Sequence, residues 1–191
     1  MDVYTALHRW RLWGGRARAA GGAGGRVLEL GVGAGANLPH YRQAQRVVGL
    51  DPNPEALARA RQVAGGLPFP VALVRARAEA LPFAPASFDA VVGTLVFCSV
   101  DDPRAALVEA RRVLAPQGTL RLVEHVLPCR GPQRLLLQLV APLWRRCTHE
   151  CRIDRETLRT VESGGWAVHE LREHAGGVFI ELVAGPDGEE E

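Results

Sequence analysis

A short apolar run that feeds straight into alternating glycines is the tightest constraint on what this chain can fold into. Residues 26–30 read Arg-Val-Leu-Glu-Leu, and Gly31, Gly33 and Gly35 follow at once. A segment so short and so apolar reads as a buried strand. Glycines directly after it permit positive φ and remove side chains where a ligand must approach the backbone. Further strand-like runs lie at 46–51, 71–76, 88–93 and 120–125, with helical spacing at 54–64 and 102–114. Pro54 and Pro103 stand in first turns, where a helix tolerates proline. Strands alternating with helices predict an α/β domain with a Rossmann-like, doubly wound, mostly parallel sheet and helices on both faces. A strongly apolar helix is predicted at 133–144 and another helix at 153–163. The carboxyl-terminal part departs from the pattern: strands at 166–174 and 178–184 flank Ala175-Gly176-Gly177. So tight a connection joins only antiparallel neighbours. The expected sheet is therefore seven-stranded, with an antiparallel hairpin at its end.

The expected organisation has three parts. Residues 1–25 form a helix at 2–13 and a glycine-rich hinge, residues 26–184 the α/β domain, and residues 185–191 a frayed acidic tail. A length of 191 residues suits one such domain. The formal net charge of +2 is too small to announce a polyanionic partner. All 23 basic residues are arginine, scattered among acids, which fits a compositional bias better than a nucleic-acid face. No run approaches the ~20 apolar residues of a membrane span, and the amino terminus lacks a signal-peptide core. Four irregularly spaced cysteines make no disulfide framework. The expectation is a cytoplasmic protein without a membrane anchor.

The glycine turn alone is ambiguous. Gly31-x-Gly33-x-x-Ala36 also satisfies the dinucleotide pattern, in which a pyrophosphate sits at the start of the following helix. Asp51 ends the second strand, where a carboxylate can accept both ribose hydroxyls; both cofactor classes use it. Glu29, two residues before Gly31, separates them. A negative charge is unfavourable beside a pyrophosphate, but it suits S-adenosylmethionine, a zwitterion that carries a sulfonium.

The segment Val27-Leu28-Glu29-Leu30-Gly31-x-Gly33-x-Gly35-x-Asn37 with Tyr41, then Asp51-Pro52-Asn53-Pro54, resembles the class I methyltransferases of the methyltransferase domain 11 group. Ala78-Glu79-Ala80-Leu81-Pro82-Phe83 and Ser87-Phe88-Asp89-Ala90-Val91-Val92 belong to the same pattern. Residues 94–100 (Thr-Leu-Val-Phe-Cys-Ser-Val), Glu124-His125-Val126, Pro142-x-Trp144 and Cys151-Arg152-x-x-Arg155-Glu156-Thr157 are similar to its thiol S-methyltransferase-like branch. The resemblance implies S-adenosylmethionine as cofactor and a small-molecule acceptor, and it favours an alkyl thiol. It also implies Glu29, Gly31, Gly33, Gly35, Asn37, Asp51, Pro52, Ala78, Glu79 and Thr94 as cofactor-binding residues. Many group members carry an aspartate before the Ala-Glu pair that contacts the adenine. Here Arg77 stands there and cannot accept a hydrogen bond, so that contact falls to the backbone around Ala78 or to Glu79. A non-catalytic S-adenosylmethionine-binding module and a nicotinamide-dependent reductase are the alternatives. The reductase lacks a Tyr-x-x-x-Lys pair, because the chain has no lysine.

His125, closing the fifth strand, is the candidate base or acceptor-orienting group, since imidazole exchanges protons near neutrality. The alternative is a histidine that only bonds a loop backbone. Cys98 reads as a small buried apolar residue. Cys147-Thr148-His149-Glu150-Cys151 lacks paired ligand hooks and reads as a loop over the acceptor pocket, with no metal expected. The helix at 2–13, with Tyr4, Trp10 and Trp13, forms either a lid or a helix packed on the sheet. Leu135, Leu136, Leu139, Val140, Leu143 and Trp144 are explained mostly by core packing, with an acceptor-pocket wall as the alternative.

Overall fold

The computed structural model describes residues 14–148 and 151–187. The helix expected at 2–13, with its lid role, and the residues His149 and Glu150 lie outside them. Helix α1 (Gly15–Gly21) leads into β1 (Gly24–Leu30), and β2 (Gln43–Leu50) follows after a single 3-10 turn (Leu38–His40). Helix α2 (Pro54–Ala64), β3 (Val71–Val74), β4 (Phe88–Thr94), α3 (Pro103–Val113) and β5 (Leu114–His125) complete the alternating part. Helices α4 (Pro132–Thr148) and α5 (Thr157–Glu162) precede β6 (Trp166–His174) and β7 (Phe179–Pro186). The strands form one seven-stranded sheet in the order β3-β2-β1-β4-β5-β7-β6. Strands β1 to β5 pair in parallel, and β7 runs antiparallel to both β5 and β6. The expected Rossmann-like sheet and its antiparallel end are therefore present.

Alternation along the strands splits the core in two. Leu28, Leu30, Val48, Leu50 and Val91 pack with Ala106, Leu107, Ala110 and Val113 of α3. Val27, Val47, Ala90 and Val92 turn the other way, onto Ala19 and Ala20 of α1 and Leu57 and Ala60 of α2. Burying one such valine or leucine contributes about 1.5–3 kcal/mol. The same alternation puts Glu29 on the α1 face, inside the protein.

Local chemistry sets the helix starts. Asn53 caps α2 by accepting from the amides of Glu55 (2.8 Å) and Ala56 (3.2 Å), and Asp102 caps α3 through Arg104 (2.9 Å) and Ala105 (3.1 Å). In both, proline takes the next position, where no backbone donor is lost.

Several expectations are corrected. The glycine-rich stretch at 14–25 is not a hinge but helix α1 and the start of β1, with Ala20 and Ala23 fully buried. Gly185 and Pro186 belong to β7, opposite Ala167 and Trp166, so the tail begins later than position 185. Helix α5 starts at Thr157 rather than near 153. The backbone before it is taken up elsewhere: the Arg152 amide donates to the Cys98 carbonyl (2.8 Å), and the Arg155 carbonyl accepts from the Leu127 amide (2.8 Å). Core packing does not explain α4 either, because Leu135, Leu136, Leu139 and Leu143 are each at least 60% exposed. Among the described residues no helix is long and apolar enough to cross a membrane.

Candidate functional site

The carboxyl ends of β1, β2 and β4 open onto a cavity of about 540 Å³, in the size range of small-molecule and cofactor sites. Gly31 and Gly33 of the glycine turn line it, whereas Gly35 is buried off the cavity, beside Leu38, Ala60 and Val63. Gly31, Gly33 and Gly35 all have positive φ (59°, 53° and 84°), a region costly for any residue with a Cβ. At Gly31 a Cβ would lie 2.6 Å from Val96 Cγ2, so this glycine lets the turn after β4 close down on the turn after β1. At Gly33 a Cβ would meet nothing nearer than 4.0 Å; the space belongs to the cavity.

Asp51 stands at the end of β2 on the cavity wall, its carboxylate fixed by backbone. Oδ2 accepts from the Gly33 amide (3.0 Å) and Oδ1 from the Asn53 amide (2.9 Å). Each oxygen keeps lone-pair capacity for a further donor. Pro52 and Ala78 line the same cavity, and so does Glu79. Glu79 Oε1 accepts from the Asp101 amide (2.9 Å) and from Arg77 Nη2 (3.2 Å). Arg77 also pairs with the Asp101 carboxylate, and its hydrogen bond lowers that acid's pKa. The position where an adenine-reading aspartate was missing therefore has Asp101 beside it, supplied by the turn after β4. Sequence spacing held no signal for that.

Glu29, Asn37 and Thr94 are brought together, but beneath the turn and not on the cavity wall. Glu29 is 1% exposed. Its Oε1 accepts from Asn37 Nδ2 (3.0 Å) and its Oε2 from the Tyr41 hydroxyl (2.9 Å). Asn37 Nδ2 also donates to Thr94 Oγ1 (3.0 Å), and Arg16 Nη1 donates to Asn37 Oδ1 (3.0 Å). This buried network ties α1, β1 and β4 to the glycine turn. Burial pushes the Glu29 carboxyl up to about 8, against the hydrogen bonds from Tyr41 and Asn37 and the charge of Arg16. A carboxyl raised on folding stabilises fully below its unfolded value, and the contribution is lost as pH rises through the folded one. The thermal midpoint should therefore fall by about 5 °C between pH 5 and 9. Glu29→Gln, which cannot ionise, should flatten much of that slope; a variant that melts in parallel with the parent protein over the whole range refutes the assignment.

No α-helix follows the glycine turn. Pro39 sits in the single 3-10 turn, and β2 begins four residues after it, at Gln43. The helix amino terminus that would hold a pyrophosphate is therefore absent from that position. His125 ends β5 opposite Phe179, the two rings edge to face with centroids 4.9 Å apart. It stands at the same sheet edge as Thr94 but does not line the cavity. The neighbouring Glu124, named from the sequence only as part of the Glu124-His125-Val126 motif and given no role of its own, is fully buried. No group of three or more potential metal ligands occurs among the described residues. A second cavity, of about 620 Å³, lies against α1, β5 and β7 and shares no lining residue with the first. Its wall carries the ion-paired Arg18 and Glu181.

This sheet order, with the glycine turn and a carboxylate at the ends of β1 and β2, defines the class as a Rossmann-like nucleotide-cofactor domain. Residues 28–122 match the methyltransferase domain family. The chain belongs to that family. A thiol S-methyltransferase of Homo sapiens is 39% identical over 148 residues, 74% of this chain and 61% of its own length. A second human thiol S-methyltransferase is 32% identical over 161 residues, covering 82% of this chain and 66% of its own length. This chain spans about three fifths of the length of the first of these relatives. The crystal structure of an S-adenosylmethionine dependent methyltransferase from Mesorhizobium loti superimposes with a TM-score of 0.69 at 21% identity, covering 91% of this chain and 96% of that one.

Proposed function

We propose that this chain is an S-adenosylmethionine-dependent methyltransferase acting on a small-molecule acceptor, an alkyl thiol before other classes. The observation that carries the proposal is the pairing of Asp51 with the glycine cradle. A backbone-fixed carboxylate faces a cavity in which Gly33 leaves open the volume a side chain would fill. That donor and acceptor set suits a nucleoside: Asp51 accepts the ribose hydroxyls, and Gly31 and Gly33 admit the chain attached to the sugar. When bound, the cofactor supplies an electrophilic methyl group on a positive sulfur, so the protein's task is alignment and the exclusion of water. The thiol preference rests on the names of the relatives and on chemistry. A thiol of pKa ~8.5 is already partly ionised near neutrality and needs little help from a base.

Glu29, Asn37 and Thr94 hold the cradle from below, while Pro52, Ala78, Glu79 and Asp101 stand around the adenine end. His125 takes the acceptor's proton or orients the acceptor at the carboxyl edge of β5. The exposed leucines of α4 offer an apolar wall to an alkyl group. The reductase alternative is disfavoured by the missing helix at the pyrophosphate position. Cys98, Cys129 and Cys151 stand in no disulfide, which suits the reducing cytoplasm, and the small net charge suits a small acceptor over a nucleic acid.

Calorimetry with S-adenosylmethionine, S-adenosylhomocysteine and NADPH tests the cofactor. Micromolar binding of the first two and none of NADPH is expected; the reverse pattern overturns the proposal. Labelled methyl transfer to simple thiols then tests catalysis, and cofactor binding without transfer to any acceptor would leave a binding module. His125→Ala should lower turnover on a thiol by at least about tenfold, within the usual span of general-base effects, with cofactor affinity unchanged. Undiminished turnover removes His125 from the chemistry.

A further inference from the structure

The turn after β4 is gripped at one end by the fully buried Glu124 and at the other by the half-buried Arg155. Leu95 leaves β4 at φ +58°, a costly conformation for leucine, and its amide donates to the Val123 carbonyl (2.8 Å). The chain then makes one tight turn, with the amides of Ser99 (2.8 Å) and Val100 (3.0 Å) both donating to the Val96 carbonyl. At the amide end Glu124 Oε1 accepts from the backbone of Val96 (2.9 Å) and Phe97 (3.1 Å). At the carbonyl end Arg155 Nη1 donates to Phe97 O (2.7 Å) and Nη2 to Val100 O. Anion at the amide end and cation at the carbonyl end match the dipole of the turn. The other oxygen of Glu124, Oε2, is buried without a hydrogen-bond partner among the described residues. A fully buried carboxylate left half satisfied costs stability, and such breaches concentrate where a site demands them.

The gripped turn forms the cavity wall. Leu95, Val96, Ser99, Val100 and Asp101 line it, and Val96 rests on Gly31. We propose that Glu124 and Arg155 are positioning residues that fix this turn from opposite ends and thereby set the width of the cofactor cavity. The inference rests on the proposed function for its ligand, but not for its geometry. Burial holds the Glu124 carboxyl up, to about 7, so its acceptor strength changes across neutral pH. The charged and titratable groups around it are Arg16 of α1, Arg155 and Cys151 of the segment before α5, and Cys98 of the turn itself.

The experiment compares the parent protein with Glu124→Gln, Glu124→Ala, Arg155→Lys and Arg155→Met. It reads S-adenosylhomocysteine affinity by calorimetry from pH 6 to 8 and amide hydrogen exchange at Val96 and Phe97 in the ligand-free chain. Glu124→Ala and Arg155→Met should each weaken binding about tenfold and speed exchange at both amides. Glu124→Gln keeps an acceptor for both amides, so it should bind within about threefold of the parent at pH 8. Its affinity should stay flat from pH 6 to 8, while the parent weakens toward the Glu124→Gln value as pH falls below 7. Arg155→Lys should rescue only in part, since an ammonium lacks the planar fork. Parent-like exchange and affinity in both Glu124→Ala and Arg155→Met overturn the inference. If Glu124→Ala does not fold, Arg155→Met and the pH profile of Glu124→Gln decide alone. Should the parent itself fail to bind, the cofactor assignment fails, while hydrogen exchange still decides the grip.

Discussion

Replacing Asp51 by alanine should weaken S-adenosylmethionine binding about 100-fold while leaving the fold intact. Two losses combine. The carboxylate no longer meets the ribose hydroxyls, and charge-assisted hydrogen bonds of this kind contribute about 1.5–3 kcal/mol each. The amides of Gly33 and Asn53 also lose the group that holds them in register. A net cost near ~3 kcal/mol corresponds to the two decades expected. Asp51 lies on the cavity wall and not in the core, so the thermal midpoint should move by no more than about 3 °C. Asp51→Asn retains one carbonyl acceptor and should lose about tenfold. Calorimetric affinities within threefold of the parent in the alanine variant would remove Asp51 from the cofactor site.

Gly31→Ala should be more damaging, to fold and function together. The φ of +59° costs a residue with a Cβ about 1–2 kcal/mol. The new Cβ would also meet Val96 Cγ2 at 2.6 Å. Val96 cannot simply swing away, because its amide is held by Glu124 and its carbonyl by the turn. The wall must move, so a drop of about 5–10 °C in midpoint and loss of measurable cofactor binding are expected. Gly33→Ala is the control. Its φ is similar (+53°), yet nothing lies within 4.0 Å of the new Cβ. It should fold with only the backbone penalty and still bind weakly, since the methyl group enters the cavity. Equal stability of the two variants would show that the contact with Val96 is unimportant.

The contrast between those two glycines marks the border of what the sequence discloses. Both were legible as members of a tight turn at a strand's carboxyl end, since glycines directly after a buried strand permit positive φ there. Their different partners were not, because Val96 is brought to Gly31 by sheet order and not by spacing. The sheet itself was legible for the same local reasons. The strand and helix periods, Pro54 after Asn53 and the Ala175-Gly176-Gly177 connection each leave a mark on neighbouring residues. Helix α2 fell at 54–64 as predicted because its cap, its proline and its apolar spacing agree.

Where the expectation failed, the deciding interaction was long-range. Glu29 was expected to suit the cofactor's positive groups from the end of its strand; alternation along β1 turns its side chain inward, onto Asn37 and Tyr41. The segment before α5 has helical composition, but Cys98 and Leu127 claim its backbone. Apolar residues on α4 suggested a core, since period reports that a face is apolar and not what covers it. Glu124 and Arg155 act through backbone atoms of another segment, a role that no residue pattern announces.

The strand order carries a consequence for how the chain folds. Strand β7 lies between β5 and β6, although β6 comes first in the chain. Strand β6 therefore emerges with no neighbour to join, and β5 keeps an open edge until β7 slots between them. The β6–β7 ladder can close locally as a hairpin, whereas the β5–β7 ladder joins residues as distant in sequence as Leu120 and Ala184. Pairings this distant in sequence are slow to form, and an edge left waiting is open to other chains. Refolding at rising protein concentration should therefore lose yield through β5 and β6 first. Conditions that delay closure of the β6–β7 hairpin, such as lengthening its Ala175-Gly176-Gly177 connection, should deepen that loss while leaving the cofactor cradle unchanged once the sheet is complete.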